Sequence, residues 1–287
     1  MMLESFGKML TRLFFLAWVG VVAGLIATVP SYAGEVLDRI MSRGYITMNG
    51  VTDWPPFSSK DENGKFVGFD VDVADEVARR MGVEVRRVDE VVTWEEETGG
   101  HWDGKIDISI GSMTPTAKRG ENLEFPAIYT FAIASLAVHK DNTTIRTPAD
   151  ASGKRIGALK SATYELYLRR VPFDIDGMPP VTYKIDDPTI VTFEERESDA
   201  FEALAKGDGV ELDAVVNYLP TLMSVVKQGM PFRIIGQPLY RAPQAIAIEP
   251  GDPELAAKIK EVVDEMHDDG TLTKLSMKWF DFDMTQP

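Results

Sequence analysis

Between residues 45 and 88 the chain passes from an apolar strand through a helix to a second strand, and this succession restricts the possible folds more than any other feature. Residues 45–50 are short and partly apolar. Thr52-Asp53-Trp54-Pro55-Pro56-Phe57 then breaks the run with two prolines, which neither a helix interior nor a central strand accommodates. Asp61-Glu62-Asn63-Gly64-Lys65 is a turn signal, and residues 66–69 read as a short return strand. From Asp70 the apolar residues Val73, Val77, Ala78 and Met81 recur at helical spacing as far as Gly82, and residues 83–88 then alternate like a half-buried strand. Parallel neighbours need a crossover, so strand, helix, strand is the unit of a parallel sheet.

The pattern continues. Strands are expected over residues 106–110 and 155–159, and over 131–138, an apolar run long enough to cross between lobes. Ser161-Ala162-Thr163 leads into a helix expected over 164–170. A helix over 198–206, closed by Gly207, precedes a strand over 212–216 that runs into Asn217 and Tyr218, and a helix follows over 221–228. After a strand over 245–248, Asp252-Pro253 opens a helix with Leu255, Ile259, Val262, Val263 and Met266 on one face, and Leu272, Leu275 and Trp279 mark a last one. The fold class is α/β, where ligands bind outside the carboxyl ends of strands.

Residues 1–33 read as a secretory signal. Lys8 and Arg12 precede an apolar run over 13–29, followed by Pro30 and the small-residue pattern Ser31-Tyr32-Ala33, so cleavage is expected after Ala33 and the protein is expected in the periplasm. A retained membrane anchor is the competing reading. The chain has no cysteine, which excludes disulfides, cysteine-ligated zinc, iron–sulfur clusters, a thiol nucleophile and a lipid-modified cysteine. Beyond residue 33 there are 28 basic and 44 acidic residues, a charge of −16, with no basic stripe, so no nucleic-acid partner is expected.

No Walker A loop, GxGxxG, HExxH or GxSxG occurs, and His101, His139 and His267 are scattered without metal-ligand spacing. No cofactor and no metal is expected, and Asp61-x-Asn63-Gly64 lacks the later ligands of a calcium loop. What remains is Gly111-Ser112-Met113-Thr114-Pro115-Thr116-Ala117-Lys118-Arg119, directly after an expected strand. It places the hydroxyls of Ser112 and Thr114 with the guanidinium of Arg119 at a strand's carboxyl end. Arginine presents a planar fork that matches a carboxylate, which makes this an anion clamp, although by itself it also reads as a solvated arginine after a polar turn.

Several segments together resemble the type II periplasmic solute-binding proteins of the amino-acid class, the receptors of ABC importers. They are Trp54-Pro55-Pro56-Phe57, the run from Asn63 to Asp72, Gly104-Lys105-Ile106-Asp107, Met113-Thr114 to Arg119, Phe125-Pro126-Ala127-Ile128-Tyr129 and Gly153-Lys154-Arg155-Ile156-Gly157, in order across residues 36–282. The resemblance implies two α/β lobes, residues 34–134 with 241–287 and residues 135–240, joined by two crossover strands and closing on a ligand. It implies a monomer that hands its solute to a membrane permease without chemistry.

In the resembled family the position of Arg119 pairs with the ligand α-carboxylate, those of Ser112 and Thr114 carry hydroxyls beside it, and that of Thr163 donates from the second lobe. Trp54 stands where the family sets an aromatic against the ligand side chain. Two positions depart from the family: Ser161 where glycine is usual, and Tyr218, beside Asn217, where a carboxylate receives the ligand's ammonium. Tyr218 or Asn217 could accept that ammonium, or a nearby acid could replace it, or the ligand is a different small carboxylate. Loss of the carboxylate is also compatible with an enzyme on the same scaffold, a cyclohexadienyl or arogenate dehydratase. Asp70 and Asp72 are expected to cap and charge the first helix of this unit. Trp94, Trp102 and Trp279 are expected in the core or at a rim, and residues 95–101, with Gly99-Gly100, as a flexible segment overhanging a cleft.

Overall fold

Helix α1 (Glu35–Arg43) leads into β1 (Tyr45–Gly50), and the proline-broken segment after it folds back as a small antiparallel sheet of β2 (Asp53–Trp54), β3 (Ser58–Lys60) and β4 (Phe66–Val67). The computed structural model describes residues 34–89, 92–194 and 196–287, and the expected export signal lies outside them. Helix α2 (Phe69–Met81) then carries the chain to β5 (Glu84–Asp89), which lies parallel to β1 with Tyr45 opposite Glu84. Gly68 joins β4 to α2 at φ +145°, and a Cβ there would sit 2.1 Å from the Phe57 carbonyl oxygen. Only glycine fits, so the Trp54–Phe57 loop is held against the start of α2.

After α3 (Trp94–Gly99) come β6 (Ser109–Met113), the 16-residue β7 (Glu124–His139), β8 (Arg155–Leu159), α4 (Thr163–Leu168), β9 (Thr189–Phe193) and α5 (Glu197–Ala205). Next are β10 (Ala214–Tyr218), α6 (Leu219–Lys227), β11 (Phe232–Ile234), β12 (Tyr240–Ile248), α7 (Pro253–Asp268) and α8 (Thr271–Phe280). One mixed sheet has the order β6-β12-β7-β10-β8-β9, with β11 also on β7. Strands β7 and β12 run antiparallel from Tyr240 opposite Ala134 to Ile248 opposite Glu124. One end of this long ladder pairs with β6, the other with β10, which is parallel to β8.

Pairing moves several elements from their expected places. Strand β6 starts three residues late because Ala247 and Ala245 of β12 pair with Ser109 and Met113, whereas the Asp107 and Ile108 N–H groups turn to the Thr47 carbonyl. Ser112 therefore lies within a strand. Strand β10 is drawn onto β7, Tyr218 opposite Ala134, so Asn217 and Tyr218 are also strand residues. Strand β12 begins five residues early for the same reason. Segment 95–101, expected as a flexible overhang, begins instead as a capped helix: Thr93 Oγ1 accepts from Glu96 N–H at 3.2 Å, and the Glu96 carboxylate accepts from Thr93 N–H at 2.8 Å.

The principal core joins α1, α2, α7 and α8 through Ile40, Phe69, Val73, Val77, Ile259, Val263, Met266 and Leu272, all withdrawn from water. A second cluster packs Phe201, Leu204, Leu212, Val215, Leu222 and Phe232 around the far end of β7. Truncating such a residue to alanine costs about 2–5 kcal/mol. Asp107 ties β1 to α1: its carboxylate accepts from Arg39 Nη2 at 3.1 Å, from Arg43 Nη2, and from the N–H and Oγ1 of Thr47 at 2.7 and 2.6 Å.

Candidate functional site

Strand β6 ends at Met113, and the chain turns through Thr114-Pro115-Thr116 into a helical turn beginning at Arg119. Arg119 is 6% exposed. Its Nη1 donates to the Thr114 carbonyl at 2.9 Å and to Thr163 Oγ1 at 3.1 Å, and its Nη2 donates to the Ser161 carbonyl at 2.9 Å. The guanidinium carbon lies 5.6 Å from the centre of the Trp94 ring. Burial, opposed by the Tyr218 and Tyr240 phenols, lowers its pKa to about 10, so the group is charged at neutral pH. Every hydrogen-bond partner of the guanidinium is neutral, and no carboxylate forms an ion pair with it among the described residues. A buried cation without a counter-ion is costly, and an anion delivered to it gains the difference.

Beside it lies a cavity of about 370 Å³. Of the residues singled out in the sequence, Trp54, Ser112, Thr163 and Tyr218 line it, whereas Arg119, Thr114, Ser161 and Asn217 are not among its lining residues, Arg119 meeting it through its bond to Thr163. Trp54 stacks on Phe57, ring centres 4.5 Å apart, and lies 6.1 Å from the Tyr218 ring. Thr114 Oγ1 accepts from Gln244 Nε2 at 2.9 Å. Ser161 holds φ at +60°, and its N–H donates to Glu165 Oε2 at 2.7 Å. Tyr218 is buried, which raises its phenol pKa and keeps the hydroxyl neutral.

Ser112, at φ +46°, gives its N–H to the Tyr129 hydroxyl at 2.7 Å and its own hydroxyl to Asp70 at 3.1 Å. Asp70 is thus no helix cap, as the sequence suggested. It is turned inward, where burial pushes its pKa up to about 8. Asp72 instead accepts from Trp279 Nε1 and Lys278 Nζ, each at 2.6 Å.

Among the lining residues that the sequence reading did not place at the site are Asn49, Trp94, Glu97 and Glu197. Trp94, expected in the core or at a rim, lines the cavity because α3 is a helix. The signal was present as Thr93-x-x-Glu96, a capping box that puts Trp94 and Glu97 on one face. Glu97 Oε1 accepts from Ser109 Oγ at 2.5 Å and its Oε2 from Asn49 Nδ2 at 2.8 Å, and burial raises its pKa. Glu197 opens α5 one residue before the expected start. It accepts from Tyr164 OH and, at 2.6 Å, from Asn217 Nδ2. Burial pushes its pKa up to about 7 against those two bonds, with Asp53 adding to the rise. Asn217 is fully buried and committed, its Oδ1 accepting from Tyr218 N–H at 2.7 Å. Among the described residues no group of three or more histidine, aspartate or glutamate side chains is placed to hold a metal ion.

A mixed α/β body with a cation behind one side of an acid-lined cavity defines a binding protein for small solutes, and comparison with known proteins agrees. Residues 46–282 match the model of the bacterial extracellular solute-binding proteins, family 3, and the chain belongs to that family. The L-cystine-binding protein TcyJ of Escherichia coli strain K12 is 30% identical over 271 residues, covering 93% of this chain and 94% of that protein. The structure of holo ArgBP from T. maritima is similar at 32% identity and a TM-score of 0.68, covering 85% of this chain and 99% of that one. An ancestral amino acid-binding protein described as a precursor of cyclohexadienyl dehydratase is similar at 31% identity and a TM-score of 0.71, covering 85% and 99%. The fold is the two-lobed type II periplasmic binding fold, and no helix of the described residues is long and apolar enough to cross a membrane.

Proposed function

We propose that this chain is the periplasmic substrate-binding component of an ABC importer, exported by residues 1–33 and cleaved after Ala33. It captures an amino acid or related small carboxylate and delivers it unchanged to a membrane permease. The observation that carries this reading is Arg119, a buried and charged guanidinium bound only to neutral groups and reaching from the β6 side to Ser161 and Thr163 beside α4. A ligand carboxylate supplies the missing anion. The lobes are residues 34–134 with 241–287 and residues 135–240, with β7 and β12 as the crossover strands. Closure is favoured by ligand because both lobes contact it only when closed. Contacts supporting a closed arrangement are Lys160 with Glu95 at 3.0 Å and Ser198 Oγ with Asp53 at 2.6 Å. Glu197 replaces the carboxylate that Tyr218 lacks: Asn217 holds it beside Tyr218, and it accepts the ligand's ammonium.

The test is thermal denaturation of the purified protein with single amino acids and small organic acids, repeated on Arg119→Ala. A ligand present at 1,000 times its Kd stabilises by roughly 4 kcal/mol, a readily measured shift. Ligands bearing a carboxylate should lose that shift in the variant, and one that keeps it overturns the clamp.

One observation favours a second reading. Glu197, with a pKa near 7 inside the cavity, is able to donate a proton to a leaving hydroxyl, as a dehydratase of the cyclohexadienyl or arogenate type requires. Turnover of prephenate or arogenate by the purified protein, abolished in Glu197→Gln, would establish that reading in place of transport.

A further inference from the structure

Tyr218 stands where the cavity meets the arginine clamp. It lines the cavity and is 3% exposed, whereas Arg119 reaches that space only through Thr163 Oγ1, 3.1 Å from its Nη1. The Tyr218 hydroxyl lies 3.5 Å from Gln244 Oε1, and Gln244 Nε2 donates to Thr114 Oγ1 at 2.9 Å. Burial raises the phenol's pKa, against hydrogen bonds with the Thr114 and Thr163 hydroxyls and the charge of Arg119. The phenol thus meets the same groups that surround the guanidinium, whose Nη1 donates to the Thr114 carbonyl and to Thr163. Its ring is wedged among three others, 6.1 Å from Trp54, 6.2 Å from Phe57 and 5.7 Å from Tyr164. Tyr218 and Tyr164 belong to the proposed lobe of residues 135–240, and Trp54, Phe57, Thr114 and Gln244 to the other. A side chain of one lobe is therefore seated in a pocket of the other.

We propose that the Tyr218 phenol is an internal competitor for the clamp: it docks on Thr114, Thr163 and Gln244 in front of Arg119, and a ligand carboxylate binds by displacing it. This rests on the solute-binding reading above and adds a gate that sets affinity and selects for charge. A phenol hydroxyl satisfies neutral polar groups, but it brings no negative charge to the buried guanidinium. A carboxylate offers acceptors to the same hydroxyls and the missing charge as well, so it wins the exchange. A neutral solute brings no charge and leaves the phenol in place. The cavity of about 370 Å³ gives the displaced ring room to move. Apparent affinity is then lower than the intrinsic affinity by the fraction of molecules in which the ring is undocked.

The experiment is titration calorimetry of the purified protein with three probes, L-cystine, L-arginine and L-glutamine, on wild type, Tyr218→Phe, Arg119→Ala and the double variant. Phenylalanine keeps the ring contacts but lacks the hydroxyl that holds the ring docked. Tyr218→Phe should therefore bind each probe that wild type binds about threefold to tenfold more tightly, the worth of the lost hydroxyl bonds. In the Arg119→Ala background the same substitution should change affinity by less than about twofold, because access to the guanidinium is what is gained. Equal or weaker binding by Tyr218→Phe overturns the proposal and makes the phenol a plain wall or a donor to the ligand. A second measurement needs neither variant: a fluorotyrosine incorporated at position 218 gives one fluorine signal, which should shift when a probe binds. A signal that stays in place during binding also overturns the proposal. Probe binding that is lost in Arg119→Ala but not tightened in Tyr218→Phe refutes this inference alone. Probes that bind Arg119→Ala as well as wild type refute the clamp, and a failure of all three to bind wild type or Tyr218→Phe refutes the solute-binding reading; this inference falls with either.

Discussion

Asp107 and Glu197 are both almost fully buried, 4% and 8% exposed, yet they stand in opposite electrostatic surroundings. Four donors meet Asp107, two of them guanidinium groups. Two donors meet Glu197, a phenol and an amide, both neutral. One carboxylate is compensated within the protein and holds β1 to α1. The other has no counter-charge among its hydrogen-bond partners, and in the proposed reading the ligand supplies it. Arg119 mirrors Glu197 as a cation with neutral partners, but it stays charged because its lowered pKa of about 10 remains above neutrality. Burial alone therefore does not separate these charges; what separates them is an internal counter-charge, and on the proposed function its absence is what reserves Glu197 and Arg119 for a ligand.

The largest effect that would break this comparison is at Asp107. Asp107→Ala should cost about 3 kcal/mol of stability, at the lower end for a buried pair because Arg39 and Arg43 retain some access to water. Urea denaturation measures it, and ligand affinity should persist as long as the protein is folded. A stability loss under about 1 kcal/mol would remove Asp107 from its structural role.

Glu197→Gln should do the reverse. Affinity for an amine-bearing ligand should fall by about tenfold to a hundredfold, the worth of a hydrogen bond to a charged group. Stability without ligand should hold or rise at neutral pH, because the variant no longer buries an ionising carboxyl. A variant that binds normally but unfolds easily would make Glu197 a second Asp107.

The pH dependence sharpens the same contrast. Glu197 rises from an ordinary 4.5 to about 7 in the folded protein. A raised carboxyl stabilises the fold below its unfolded pKa, and that contribution is lost as pH climbs through about 7. Asp70, raised to about 8, acts in the same direction. Binding of an ammonium needs the ionised carboxylate, so affinity should fall about tenfold per pH unit below 7 and level off above it. Glu197→Gln should flatten that slope. Calorimetric titration across pH reads it directly, and a flat wild-type profile would detach Glu197 from the ligand.

The sequence disclosed the α/β class, the bounds of β8 and the apolar faces of α2 and α7, since these rest on local periodicity, and it placed Arg119 shortly after β6, since that rests on a motif carried by consecutive residues. Strand edges at β6, β10 and β12 were misplaced because they are set by partners distant in the chain. Asp70 resembled a helix cap because its position in the sequence is right for one, and its true partners, Ser112 and Tyr129, are 42 and 59 residues away. Glu97 and Glu197 were missed for a related reason. Each sits in a polar run of acids that reads as a solvated surface, and only the fold shows which single member turns inward.

Ser161 offers the smallest effect and tests the wall behind the cavity. It is a non-glycine residue held at φ +60°, a conformation that costs an L-residue about 1–2 kcal/mol, and glycine is free of that strain. Glycine also loses more chain entropy on folding, by about 0.5–1 kcal/mol, so Ser161→Gly should stabilise by up to about 1 kcal/mol and raise Tm by about 2–4 °C. Ligand affinity should not change, because Ser161 meets Arg119 through its carbonyl and Glu165 through its N–H, and both survive the substitution. Calorimetry on the variant separates the two quantities. Lost affinity with retained stability would show that the Ser161 hydroxyl itself reaches the ligand, making that wall a source of recognition as well as the backbone frame that aims the guanidinium.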